Sequence, residues 1–73
     1  MKQTFKMENL DCANCAAKME AAIAKIDGVD NVSISFLLEK MTLEADESMM
    51  DKILKEAQKV CKKVDADCRI ILP

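Results

Sequence analysis

Two stretches of helical periodicity, each enclosed by stretches that alternate, decide what this chain can fold into. Cys15, Met19, Ala22, Ile23 and Ile26 fall on one stripe, and Met50, Ile53, Leu54, Ala57 and Cys61 form another. Such spacing gives each segment one apolar face that must be buried against something else. Around them the period is two. Phe5 and Met7 alternate with Lys6 and Glu8, and Val32, Ile34 and Phe36 alternate with Ser33 and Ser35. Met41, Leu43 and Ala45 alternate with Thr42 and Glu44, and Cys68, Ile70 and Leu72 repeat the pattern before the closing Pro73. Alternation of this kind marks strands with one buried and one solvated face.

The spacing predicts strands over 1–8, 32–37, 41–45 and 68–72, and helices over 13–26 and 49–59. Asp11 or Cys12 begins the first helix, and an acidic side chain there suits the positive end of the helix dipole. Gly28 stands just past it, the usual place for a left-handed C-cap. Residues 38–40 form a turn that lacks Gly, so its type is not readable. Asp46-Glu47-Ser48 carries N-cap chemistry for the second helix, and a polar link over 62–67 leads to the last strand. The order βαββαβ is that of an α+β, ferredoxin-like sandwich, with two helices on one face of a four-stranded antiparallel sheet. A length of 73 residues leaves room for one domain, 1–73, with one small core. In this topology the first strand–helix turn, the hairpin and the link before the last strand share one end.

Composition excludes several function classes. A net charge of −2, with no basic stripe and no Tyr or Trp to stack on bases, argues against nucleic-acid binding. No apolar run is long enough to span a bilayer and no signal-peptide pattern opens the chain, so a soluble, monomeric chain is expected. Four cysteines accompany only one Gly and one Pro, which does not describe a loop-rich disulfide scaffold. Reduced thiols in a cytoplasmic setting are the expectation.

The chemistry concentrates in Asn9-Leu10-Asp11-Cys12-Ala13-Asn14-Cys15. A strand hands two thiols, spaced Cys-x-x-Cys, to a helix start. The first sits in the loop and the second on the first turn, so both sulfurs can reach one ion. The positive helix end and neighbouring N–H groups favour thiolates, which serves metal binding and redox chemistry alike. A thiol–disulfide oxidoreductase is therefore a rival, although Ala13 and Asn14 stand where such sites carry Gly-Pro or an aromatic neighbour. A closed structural zinc site needs four ligands; this chain has no His, and Cys61 and Cys68 are not spaced as a second knuckle. What remains is an open two-thiolate site suited to reversible binding, with no catalytic residues.

At these residues the chain resembles the heavy-metal-associated (HMA) domain family, whose loop reads G-M-x-C-x-x-C. Residues 5–16 match its strand and loop, and Ile26-Asp27-Gly28-Val29-Asp30-Asn31-Val32 matches its helix end and the start of its second strand. The resemblance implies a ferredoxin-like fold and metal binding by Cys12 and Cys15. It also implies a role either as a metallochaperone or as the N-terminal domain of a membrane-embedded heavy-metal-transporting P-type ATPase, partnered by that ATPase in cis or by a metallochaperone. Three positions depart from the family. Asn9 replaces Gly, and Asn tolerates positive φ, so the turn should survive. Leu10 replaces the Met packed beneath the loop, a volume-conserving change worth under about 1.5 kcal/mol. The aromatic residue that copper members often carry before the last strand is missing.

Asp11 bears on the choice of metal. Its carboxylate is a hard donor that suits Zn(II), Cd(II) or Pb(II), whereas two thiolates alone suit Cu(I). Two thiolates and Asp11 carry three negative charges, leaving −1 around a divalent ion and −2 around Cu(I), which is less favourable at a low-dielectric loop. Asp-Cys-x-x-Cys is similar to the loop of zinc-, cadmium- and lead-exporting ATPases. The commoner use of such an Asp is helix capping. Cys61 falls near the same end and is a candidate third sulfur, against the plainer reading as a buried core residue; Cys68 reads as core. Met7, Met19, Met41 and Met50 lie on core stripes, where Met fills gaps rather than binding copper. Lys62 and Lys63 read as a solvated helix end.

Overall fold

A computed structural model describes residues 1–72; Pro73, expected to close the chain, lies outside the described residues. The elements are β1 (Lys2–Glu8), α1 (Ala13–Ala24), β2 (Val29–Ser35), β3 (Lys40–Ala45), a 3-10 turn (Glu47–Met49), α2 (Met50–Val64) and β4 (Arg69–Ile70). The four strands form one sheet in the order β2-β3-β1-β4, with every neighbouring pair antiparallel. The expected ferredoxin-like order is therefore observed.

One parity of each strand is buried. Phe5, Met7, Met41, Leu43 and Ile70 join Ala16, Met19 and Ile23 of α1 and Ile53, Leu54, Ala57 and Cys61 of α2 in a single core. The opposite parity, including Lys6 and Ser33, faces solvent. Burying one face of each helix against one face of the sheet supplies most of the hydrophobic stabilisation.

Each sheet edge is hydrogen-bonded at one residue to a helix side chain. On β2 the Ile34 N–H donates to Glu20 Oε2 of α1 at 2.8 Å. On β4 the Gln58 carboxamide of α2 pairs with Ile70 like a one-residue strand: its Nε2 donates to the Ile70 carbonyl at 2.8 Å, and its Oε1 accepts from the Ile70 N–H at 2.7 Å. Backbone groups engaged in this way are not free to pair with another chain. Gln58→Ala should cost about 1–2 kcal/mol, because two partly buried backbone groups lose their partner. A urea melt checks this through a lower midpoint at unchanged slope.

The departures from expectation lie at element ends. α1 stops at Ala24 with Lys25 as its C-cap, so Gly28 does not cap the helix. Gly28 is nonetheless left-handed, at φ +96, in the turn into β2. That strand starts at Val29, with a register shift between Val29 and Asn31, and ends at Ser35. Phe36 consequently leaves the strand and joins a turn over 36–39. Glu39 takes the left-handed position there, at φ 52, and Ser35 Oγ accepts from the Leu38 N–H at 3.2 Å. Asp46 caps the 3-10 turn rather than α2, accepting from the Ser48 N–H at 3.0 Å. Half of the polar link expected over 62–67 is helix: α2 runs to Val64, with Lys62 and Lys63 in its last turn where cations suit the dipole.

The three turns expected at one end do meet there. The Met7 N–H donates to the Glu39 carbonyl at 2.7 Å, joining β1 to the hairpin turn. Asn9 Nδ2 donates to the Asp67 carbonyl at 3.1 Å, joining the Cys-x-x-Cys loop to the α2–β4 turn.

Candidate metal centre

The loop is built by three neighbouring residues with separate jobs. Asn9 adopts φ 60, the left-handed conformation its side chain tolerates. Leu10 turns inward and is 2% exposed, anchoring the loop to the core. Asp11 is exposed and stands one residue outside the helix. The helix N-cap is Cys12, with extended φ/ψ of −140 and 125. Its Sγ accepts from the Cys15 N–H at 3.3 Å, in the place a Ser or Asp oxygen usually takes. Of the two residues expected to begin the helix, Cys12 does so.

Cys12 and Cys15 are both free thiols and both half-buried. Their acidities are driven apart. Hydrogen bonding from the Cys15 side chain, then from its backbone N–H, pulls the Cys12 thiol below its usual value of 9.0. The same side-chain bond pushes Cys15 up, reinforced by burial and by the charges of Cys12 and Asp65. One sulfur is thus predisposed to be the anion and the other to be its donor. A bound cation would take the place of the thiol protons.

Asp65, at the C-cap of α2, was not singled out by sequence reasoning. Its charge is felt at both Cys15 and Cys68, and Asp11 and Glu39 also act on Cys68. The only signal available in sequence was topological, because Asp65 lies in the segment that the fold returns to the dithiol end.

Cys61 and Cys68 are fully buried. Burial pushes the Cys61 thiol up to about 12 and, with the Asp65 charge next, the Cys68 thiol up to about 11. Cys68 Sγ lies 4.0 Å from the Met19 sulfur, inside the core. Among the described residues no three His, Cys, Asp or Glu side chains form a group placed to hold an ion. Cys12 and Cys15 are therefore brought together; exposed Asp11 and buried Cys61 do not join them in such a group. Two adjacent, accessible thiols at a positively polarised helix end fit a soft or borderline cation and leave its remaining positions open.

Thiol reactivity should follow this order. At neutral pH, iodoacetamide should modify Cys12 first, since more of it is thiolate, and Cys15 more slowly. Cys61 and Cys68 should react only after unfolding, as peptide mass spectrometry would reveal.

Residues 4–65 match the model of the heavy-metal-associated domain. The chain belongs to that family. This heavy-metal-associated domain is 33% identical over 58 residues to a zinc/cadmium/lead-transporting P-type ATPase of Escherichia coli (strain K12), covering 80% of this chain and 8% of the pump. It is 35% identical over 63 residues to a copper transport protein of Dictyostelium discoideum, covering 86% of this chain and 88% of that protein. The solution structure of the N-terminal domain of the copper(I) ATPase PacS superposes with a TM-score of 0.75 at 23% identity, covering 100% of this chain and 93% of that one. The heavy-metal-associated domain spans under a tenth of the length of the pumps it matches. It is a metal-binding domain rather than a catalytic one. No helix among the described residues is long and apolar enough to cross a membrane.

Proposed function

We propose that this domain binds one Zn(II), Cd(II) or Pb(II) ion at Cys12 and Cys15, with Asp11 as an oxygen ligand, and passes it on by ligand exchange. The observation that carries the reading is the accessible dithiol on a helix N-cap, set among carboxylates. Asp65 acts electrostatically on Cys15, Asp65, Asp11 and Glu39 act on the buried Cys68 below it, and Lys18 is the one cation acting on both thiols of the pair. More negative charge around two thiolates favours a divalent over a monovalent guest. Identity to zinc- and cadmium-transporting pumps supports the same choice. The pump context follows: the domain would sit at the cytoplasmic N-terminus of a membrane-embedded ATPase, act as a monomer, and receive or deliver metal in cis or from a metallochaperone.

A second reading is Cu(I) carriage, favoured by one observation: the copper transport protein matches this chain over 88% of its own length. Asp11 separates the two. Since Asp11 makes no capping bond to α1, Asp11→Asn should leave the melting temperature unchanged. Zn(II) affinity should fall by about tenfold or more, a range typical for residues that tune a metal site, while Cu(I) affinity barely moves. Competition against a chromophoric chelator reads both ions. Unchanged Zn(II) affinity removes Asp11 from the ligand set and with it the main argument for a divalent guest.

A further inference from the structure

Between the end of β1 and the start of α1 the backbone has little to hold it. Among the described residues, no backbone–backbone hydrogen bond ties residues 9–11 to another segment. The one hydrogen bond that does so comes from a side chain: Asn9 Nδ2 donates to the Asp67 carbonyl at 3.1 Å. Leu10 adds an apolar anchor, whereas Asp11 is exposed.

The far side of this clasp is firm. The Asp65 N–H donates to the Cys61 carbonyl at 2.9 Å, and the Cys68 N–H to the Asp65 carbonyl at 3.1 Å. The Asp67 N–H donates to Asp65 Oδ1 at 3.0 Å. The turn over 65–68 is thus fixed by its own bonds and can serve as an anchor. One residue before Asn9, Glu8 Oε1 accepts from Arg69 Nε at 2.6 Å, so the loop also leaves a strand end that is held. Asn9 itself has two separable properties. Its backbone takes φ 60, a conformation glycine takes more readily. Its carboxamide makes a bond that glycine cannot make. The left-handed turn needs only the first.

We propose that Asn9 is a positioning residue for the dithiol site: its carboxamide clasps the loop to the α2–β4 turn and holds Cys12 beside Cys15 before an ion arrives. This inference rests on the metal-binding reading above. A loop ordered in advance loses less conformational entropy on binding, and affinity falls by the fraction of time it spends out of place.

Asn9→Gly keeps the left-handed turn and removes the clasp. In the apo protein, amide nitrogen relaxation should show the order parameters of Asp11 and Cys12 falling from about 0.85 toward about 0.6. Cd(II) affinity, by chelator competition, should fall by about threefold to tenfold, the worth of one hydrogen bond. Asn9→Asp tolerates the same turn but cannot donate when ionised. It should loosen the loop likewise, which identifies the lost donor rather than glycine's freedom as the cause. Unchanged loop order in both variants overturns the clasp. A looser loop with parental Cd(II) affinity overturns the positioning role alone, as does a lower urea midpoint with loop order and affinity unaltered. Failure of the parent protein to bind Cd(II) is a different result, seen before any variant is compared. It removes the metal-binding reading, and the positioning role falls with it.

Discussion

Cys12→Ser and Cys15→Ser should each weaken Cd(II) binding by at least about 100-fold, or roughly 3 kcal/mol, while leaving the fold intact. The two sulfurs are the accessible soft donors of the dithiol end, and a hydroxyl is a poor replacement for a thiolate toward this class of ion. The variants are not equivalent in other respects. Serine at 12 can still cap α1, because its oxygen accepts from the Cys15 N–H as the sulfur does now. A Cys15→Ala change, unlike Cys15→Ser, would remove the side-chain donor that holds the Cys12 thiol low while keeping the backbone N–H. The remaining Cys12 should then titrate closer to 9.0 and react more slowly with iodoacetamide at neutral pH. Isothermal titration with Cd(II), together with a thermal melt, separates loss of binding from loss of folding.

Leu43→Ala should be the most damaging single truncation outside the site, at about 2–5 kcal/mol. Leu43 is fully buried on a central strand, flanked by Gln3 of β1 and Val32 of β2. A cavity there cannot collapse without moving the sheet. For a chain of 73 residues that loss is a large fraction of the total stability. Metal should restore part of it, since a ligand held only by the folded state adds about 2.7 kcal/mol at 100 times its dissociation constant. Urea denaturation of the variant with and without Cd(II) reads both effects. If the ion does not raise the midpoint, it is not bound preferentially by the native dithiol.

Much of this was legible because the informative residues act locally. Alternation located all four strands, since a strand with one buried face must alternate. Asn9 was expected to accept a left-handed turn and does so at φ 60. Leu10 was expected under the loop and is buried there. Errors arose where tertiary partners decide. Phe36 continues the alternation of β2, but a left-handed Glu39 turns the chain early, and no Gly announces it. Lys62 and Lys63 look like a link, yet Val60, Cys61 and Val64 keep an inward face that holds α2 together through Val64. β4 shrinks to Arg69–Ile70, because pairing with β1 is limited to Met7 and Glu8, and Leu72 beyond it is 42% exposed. Asp65 could not be found by spacing, since its effect on Cys15 exists only once α2 brings it back to the loop.

In the proposed complex one ion sits on two thiolates at the N-terminal end of α1. A Cd(II) titration of the fully reduced protein, followed by sulfur-to-metal charge-transfer absorbance, tests it most directly. Saturation is expected at one ion per chain with the intensity of two thiolates, unchanged in Cys61→Ser. Absence of the band, or an intensity of three or four thiolates that falls in Cys61→Ser, would contradict it.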